Sequence, residues 1–114
     1  MKKFAVIKTT GEIDFHDVSS EGEYDFLSGS VGGSIQSVYL GNDFDGFNLW
    51  CNEEGKLEGL PFNALATELW ENSYGKTDMI VGDVVVTGGA DDEGETIGLS
   101  QEQMDKLAQF FVMV

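Results

Sequence analysis

The pattern of apolar and polar positions along the chain predicts a mixture of strands and helices. Segments that alternate or are rich in β-branched residues, bounded by glycine-containing turns, are typical of strands. The predicted strands are Lys3–Lys8, Glu12–His16, Ile35–Leu40, Phe47–Cys51 and Thr77–Thr87. The last one contains the unbroken run Val84–Val86, and a continuous apolar run predicts a strand covered on both faces, at or near the centre of a sheet.

Two further segments change to the helical period. Apolar residues recur at helical spacing in Pro61–Trp70, and proline suits the first turn of a helix. Ser100 and Gln103 have the spacing of a capping box, which predicts a last helix over Gln101–Phe111. Glu23–Leu27 is predicted to form a short helix or a turn.

These elements predict a single α+β domain spanning residues 1–114, with a mostly antiparallel sheet of about five strands and two main helices packed on it. The predicted core residues are Phe4, Val6, Val38, Leu40, Leu49, Leu65, Leu69, Val84, Val86, Leu107 and Phe110.

Charge narrows the range of functions. The chain has 21 Asp and Glu against six Lys, no Arg, and a formal charge of −15. Direct binding to nucleic acid or to an anionic membrane needs Lys and Arg to neutralise phosphate, so both are disfavoured. A surface of this sign instead favours a protein partner with a basic surface. We therefore expect an acidic patch wherever a partner binds.

No lysine interrupts the acids between Glu12 and Glu54, so we predict that the patch comes from residues 12–45 and is joined by the acidic loop at 91–95. The alternative is an even coat of acids that only keeps the protein soluble. The predicted patch residues are Glu12, Asp14, Asp17, Glu21, Glu23, Asp25, Asp43, Asp45, Asp91, Asp92, Glu93 and Glu95.

Residues for metal binding or catalysis are few. The loop Asp91–Glu95 has four carboxylates in five residues, an arrangement that can attract a hard cation but is more often solvated. One His and one Cys cannot build a zinc site. We predict no metal, no cofactor and no catalytic residue: His16 lies among acids, and Cys51 has no base nearby in the sequence. An enzyme is thus the less favoured class.

The turn and predicted helix start around Asn52, Glu53, Lys56 and Asn63 allow two interpretations. In the first, Gly and Pro shape a hairpin turn and a helix start with no further role. In the second, these four residues form a small recognition surface to which the helix N-terminus adds free amides.

Four segments carry a resemblance to a known family. Leu49–Leu57 and Gly59–Thr67 contain the block NEEGKLxGLPxNxxAT, Ile80–Gly88 contains IVGDVVVTG, and Val31–Gly33 precedes the third predicted strand. The chain resembles an uncharacterised domain-of-unknown-function family of small bacteriophage and actinobacterial proteins, roughly from residue 30 to residue 100. The resemblance implies one small domain and a phage or mobile-element origin. It implies no activity and no catalytic residue.

Three function classes follow. The favoured one is a non-enzymatic protein-binding module acting through its acidic surface, in its sharpest form a DNA mimic that inhibits a host nucleic-acid-binding or defence protein. The second is a small-molecule binding module with an aromatic pocket formed by Trp50, Trp70 and Tyr74, and the third is a small enzyme. The single cysteine and the lack of a long apolar segment predict a cytoplasmic location. The oligomeric state stays open.

Overall fold

The computed structural model describes residues 1–113, which form a five-stranded antiparallel sheet with three helices. The spatial strand order is β2-β1-β5-β4-β3. The strands are β1 (Lys2–Ile7), β2 (Ile13–Val18), β3 (Ile35–Tyr39), β4 (Phe47–Asn52) and β5 (Val84–Gly88). The helices are α1 (Glu23–Val31), α2 (Ala64–Tyr74) and α3 (Gln101–Met113), and a short 3₁₀ helix covers Asn42–Phe44. The predicted α+β class is confirmed, and β5 is the central strand.

The helices cover both faces of the sheet. Apolar residues of α2 and α3 pack on one face, against alternate residues of the strands such as Ala5 and Leu49. Helix α1 packs on the other face, where Leu27 and Val31 meet Phe4 and the residues next to it. Because successive side chains of a strand point to opposite faces, each central strand contributes residues to both clusters. All residues of β5 are therefore buried, as the unbroken valine run predicts.

The core prediction holds for most positions. Eight of the eleven predicted residues are buried, and Val38, Leu65 and Phe110 are partly buried against the cluster on the α2 and α3 face. The predicted helix faces are therefore right.

Three predicted elements differ most from the observed ones in their boundaries. Glu23 starts a full helix that continues past the predicted end at Leu27 to Val31, where Gly32 ends it with a left-handed backbone (φ 79°). Helix α2 starts after Asn63 instead of at Pro61, because Phe62 pairs with Val81 in an isolated bridge and keeps the chain extended. It also continues to Tyr74, beyond the predicted end.

The third element is the central strand, whose predicted start is wrong. The predicted strand began at Thr77, whereas β5 begins at Val84. The residues between them form a loop in which Asp78 makes an ion pair with Lys56 and Gly82 adopts a φ of 77°. A left-handed residue interrupts strand geometry, so the β-branched residues before it do not extend the strand.

None of the helices within residues 1–113 combines the length and apolar character required to cross a membrane.

Candidate functional site

The sheet topology brings most of the predicted patch to one end of the molecule. Lys2 at the start of β1 pairs with Val18 at the end of β2, and Phe47 at the start of β4 pairs with Gly88 at the end of β5. These four strand ends therefore lie at the same end of the sheet. Neighbouring strands are antiparallel, and the connections β2–α1, β3–β4 and β5–α3 therefore all leave the sheet at this end. We call it the acidic end.

Ten of the twelve predicted patch residues lie in or beside these three connections. Glu12 and Asp14 do not, because they lie at the start of β2, toward the opposite end of the sheet. The acidic end contains Asp17, Glu21, Glu23, Asp25, Asp43, Asp45, Asp91, Asp92, Glu93 and Glu95.

The loop after β5 is held tightly against the start of β1. A Cβ atom at Gly88 would lie 2.7 Å from the carbonyl oxygen of Ile97, and one at Gly98 would lie 2.8 Å from the backbone nitrogen of Lys3. Only glycine permits two such close backbone approaches. The Leu99 amide then donates to the Lys3 carbonyl at 2.8 Å. The loop's acids are thus fixed beside β1.

Within this loop, Asp91 has a structural role. Its carboxylate oxygen Oδ1 accepts hydrogen bonds from the backbone amides of Glu93 and Glu95, each at 2.9 Å, and its own amide donates to the Glu95 carbonyl. Asp92 and Glu93 are exposed. A shallow depression lined by Lys2, Ser20, Asp91 and Glu95 joins the loop to the β2–α1 turn. The loop and the turn therefore form one continuous surface.

The acids of the β3–β4 connection lie beside the end of α2. Asp43 Oδ2 accepts from Asn72 Nδ2 at 3.0 Å, and Asp45 Oδ1 accepts from the Tyr39 hydroxyl at 3.3 Å. Both aspartates are exposed.

Lysines of β1 and its turn neutralise part of the predicted patch. Lys2 pairs with Glu23 at 2.8 Å, and Lys3 pairs with Asp17 at 2.9 Å. The hydrogen bond and the charge of Lys3 lower the pKa of Asp17. Across the same hairpin, Lys8 pairs with Asp14 at 3.5 Å.

Three patch residues thus have lysine partners. The acids without one inside residues 1–113 include Glu21, Asp25, Asp92 and Glu93. Within that same part of the chain, no three His, Cys, Asp or Glu side chains are placed to hold a metal ion.

The structure separates the four residues of the second predicted site, which lies around the turn after β4 and the start of α2. Asn63 is fully buried: its Oδ1 accepts from the Ala66 amide at 3.0 Å, and its Nδ2 donates to the carbonyls of Ile7 (3.0 Å) and Gly82 (2.9 Å). The interpretation of Asn63 as a surface residue beside free helix amides is therefore wrong. Its side chain caps α2 and ties it to β1.

Asn52 is also structural. It is 7% exposed, its Nδ2 donates to the Val31 carbonyl and to Glu58, and its Oδ1 accepts from the Glu54 amide. A carboxamide buried at this position joins the end of α1 to the turn after β4.

Glu53 and Lys56, by contrast, line a cleft of about 180 Å³ beside β3 and β4. The ammonium group of Lys56 forms an ion pair with Asp78 at its mouth. Cys51 lies in the same cleft, where burial and the nearby Asp78 raise the pKa of the thiol, and Lys56 opposes them. The sequence contains no signal for this cleft, because Asp78 is distant in the chain.

The proposed aromatic pocket does not form. Trp50 packs on the α1 face and donates from Nε1 to Thr87 Oγ1 at 2.9 Å, whereas Trp70 packs on the opposite face. Trp70 instead contacts Tyr74, with ring centroids 4.6 Å apart, and donates to Thr77. The sheet therefore separates Trp50 from Trp70 and Tyr74.

His16 lies on the exposed edge strand β2, with its ring 5.4 Å from that of Phe26. Its two acidic neighbours in β2, Asp14 and Asp17, pair with lysines instead of with His16.

Comparison with known proteins identifies a family. A family model described as "Domain of unknown function (DUF3846)" matches residues 1–112, so the chain belongs to this family. The match confirms the predicted resemblance to an uncharacterised domain family and extends it over nearly the whole chain. Searches of curated proteins and of solved structures each found no match.

Proposed function

We propose that this member of the domain-of-unknown-function family is a non-enzymatic binding protein whose acidic end binds a basic surface on a partner protein. The observation that carries the proposal is the placement of ten predicted patch residues in or beside three connections at one end of the sheet. Lysines there partner only Asp17 and Glu23 among residues 1–113.

Physical chemistry supports this use of the surface. Like charges held near one another repel by about 1 kcal/mol per close pair in water, so their clustering costs stability without adding to the fold. Glu21, Asp92 and Glu93 form no side-chain hydrogen bond within the described chain. Their charges remain free to attract a partner, with an association rate that falls as salt rises.

The sharpest form of the proposal is DNA mimicry, in which the carboxylates take the place of backbone phosphates in a basic groove. A phage or mobile-element origin and a cytoplasmic location remain predictions from the sequence. Both would bring the protein into contact with host nucleic-acid-binding and defence proteins.

The experiment compares two triple variants that change the net charge equally, from −15 to −12. The first neutralises the acidic end through Glu21→Gln, Asp92→Asn and Glu93→Gln. The matched control neutralises Glu12→Gln, Glu58→Gln and Glu68→Gln, which lie elsewhere on the surface. Each protein is immobilised and exposed to bacterial lysate.

Bound proteins are compared at about 0.1 M and about 1 M salt, where the Debye length falls from ~10 Å to ~3 Å. We expect a basic partner that the acidic-end variant loses, the control variant retains, and high salt releases. Duplex DNA should displace this partner if the protein is a DNA mimic. Equal loss from both variants would show that only the overall charge matters and would contradict the proposal.

A further inference from the structure

The two edges of the sheet differ in chemistry. Edge strand β2 has the sequence IDFHDV, and its polar side chains are two aspartates and a histidine. Edge strand β3 has the sequence IQSVY, with no charged residue and no proline. Proteins commonly protect an exposed edge with charges, prolines or bulges, because unpaired backbone groups invite another strand. In a chain with 21 acids, β3 has none of these protections.

The outer backbone of β3 is regular and available for pairing. Five consecutive residues pair with β4 without a bulge, from Ile35 opposite Asn52 to Tyr39 opposite Asn48. The Leu40 amide donates to Phe47, and the Glu53 amide donates to Ser34. Backbone direction alternates along an antiparallel strand, so Ile35, Ser37 and Tyr39 direct their backbone groups outward.

Within residues 1–113 no strand pairs with this outer edge. One outward group is occupied: the Tyr74 hydroxyl donates to the Tyr39 carbonyl. This contact closes one end of the edge. The amides and carbonyls of Ile35 and Ser37 remain for an incoming strand.

The cleft of about 180 Å³ described above adjoins this edge, because Gln36 of β3 forms part of its wall. Its lining includes the carboxylates of Glu53, Glu54 and Asp78, against the single ammonium of Lys56. A strand that pairs with β3 directs alternate side chains to this face of the sheet. A positively charged side chain on such a strand would meet an excess of carboxylates in the cleft.

We propose that β3 and its cleft form a docking site for an extended segment of a partner protein, which adds a sixth strand to the sheet and places a lysine or arginine side chain in the cleft. Main-chain pairing would supply affinity and the cleft would supply side-chain preference, as in other cases of strand addition. This site is separate from the acidic end and does not depend on its function. A second copy of the chain is disfavoured as the occupant, since each copy carries a charge of −15.

The test uses a capped nine-residue peptide of alternating lysine and threonine, followed by nuclear magnetic resonance of the backbone amides. We expect saturable binding with the largest shifts at the Ile35 and Ser37 amides. A peptide with N-methyl groups on two adjacent central residues cannot pair along either of its edges, and we expect it to bind at least about tenfold more weakly. A peptide with glutamate in place of lysine should also bind more weakly.

A pair of protein variants isolates the edge. Ser37→Pro removes an outward amide, which edge strands tolerate, while Ser37→Val keeps that amide. We expect Ser37→Pro to reduce peptide affinity about tenfold or more and Ser37→Val to leave it nearly unchanged. If Ser37→Pro does not fold, the N-methylated peptide still decides the question.

Three results would overturn the proposal. They are equal affinity for the methylated and unmethylated peptides, shifts confined to the acidic end, and a dimer by sedimentation in which β3 is already occupied.

Discussion

Replacement of Asn63 by Asp tests whether this residue holds the fold together or serves recognition. Asp is a good helix N-cap, so a residue that only caps α2 would tolerate the change. The structure predicts otherwise. The Nδ2 atom of Asn63 donates to two buried carbonyls, those of Ile7 and Gly82, and a carboxylate has no proton to donate to them.

The expected cost follows from the three bonds. Asn63→Ala removes the cap and leaves two acceptors without their donor, at about 1 kcal/mol for each lost bond, or about 3 kcal/mol in total. Asn63→Asp keeps the cap but places a carboxylate, fully buried, against two carbonyl oxygens. We therefore expect Asn63→Asp to cost at least as much as Asn63→Ala, because a buried charge without a partner is strongly unfavourable.

The measurement is urea unfolding at neutral pH, with the free energy taken from the midpoint and slope. Ser100 provides the matched control. Its hydroxyl caps the exposed start of α3 by accepting from the Gln103 amide at 3.1 Å, and this side chain makes no other hydrogen bond within residues 1–113. Ser100→Asp should therefore change stability by less than about 0.5 kcal/mol. If Asn63→Asp is as well tolerated as Ser100→Asp, our account of Asn63 as a structural link is wrong.

Three further predictions concern stability. Leu69→Ala should cost about 2–5 kcal/mol in urea unfolding, because Leu69 is fully buried on the sheet-facing side of α2; a cost below about 0.5 kcal/mol would contradict that packing. Gly82→Ala should destabilise by about 1–3 kcal/mol in the same assay, because φ is 77° and the new Cβ would lie 2.7 Å from Leu60 Cδ1; an unchanged midpoint would refute this. Asp17→Asn should lower the melting temperature at neutral pH, where Lys3 stabilises the carboxylate. A lowered folded pKa gives stability above the unfolded value of about 3.9 that is lost at lower pH, so the difference should vanish in acid.

The hydrophobic pattern predicted the parts of the fold that depend on local periodicity. The run Val84–Val86 indicated the central strand, and the stripes of α2 and α3 indicated helices packed on the sheet. The boundaries failed where a tertiary contact decides the backbone. Gly82 must adopt a positive φ beneath Leu60, and Asn63 must reach β1. Neither requirement is visible in the residues next to it.

The acidic surface was predictable only in part for a similar reason. The prediction grouped acids that are close in the sequence. In the antiparallel sheet, however, acids lie close together when their connections leave the sheet at the same end. Glu12 is consequently separated from Glu21, and Asp91 comes close to Ser20. The ion pairs could have been found from the predicted hairpin. If the turn is centred midway between β1 and β2, Lys3 lies opposite Asp17 on the neighbouring strand. This is the observed register.

The arrangement of charge distinguishes acids that pair with lysines from acids that have no lysine partner, a difference that the composition alone does not show. Along the β1–β2 hairpin, Asp14 and Asp17 pair with lysines, so their charges contribute to strand pairing. The paired charges largely cancel and attract a basic partner only weakly. At the acidic end, the N-terminus of α1 lies beside Glu21 and Asp25, and helix N-termini favour nearby carboxylates. The fold can thus hold acids together there without matching each one to a lysine. A basic partner would supply the missing positive charge, and this is why we place the binding surface at that end and not on the hairpin.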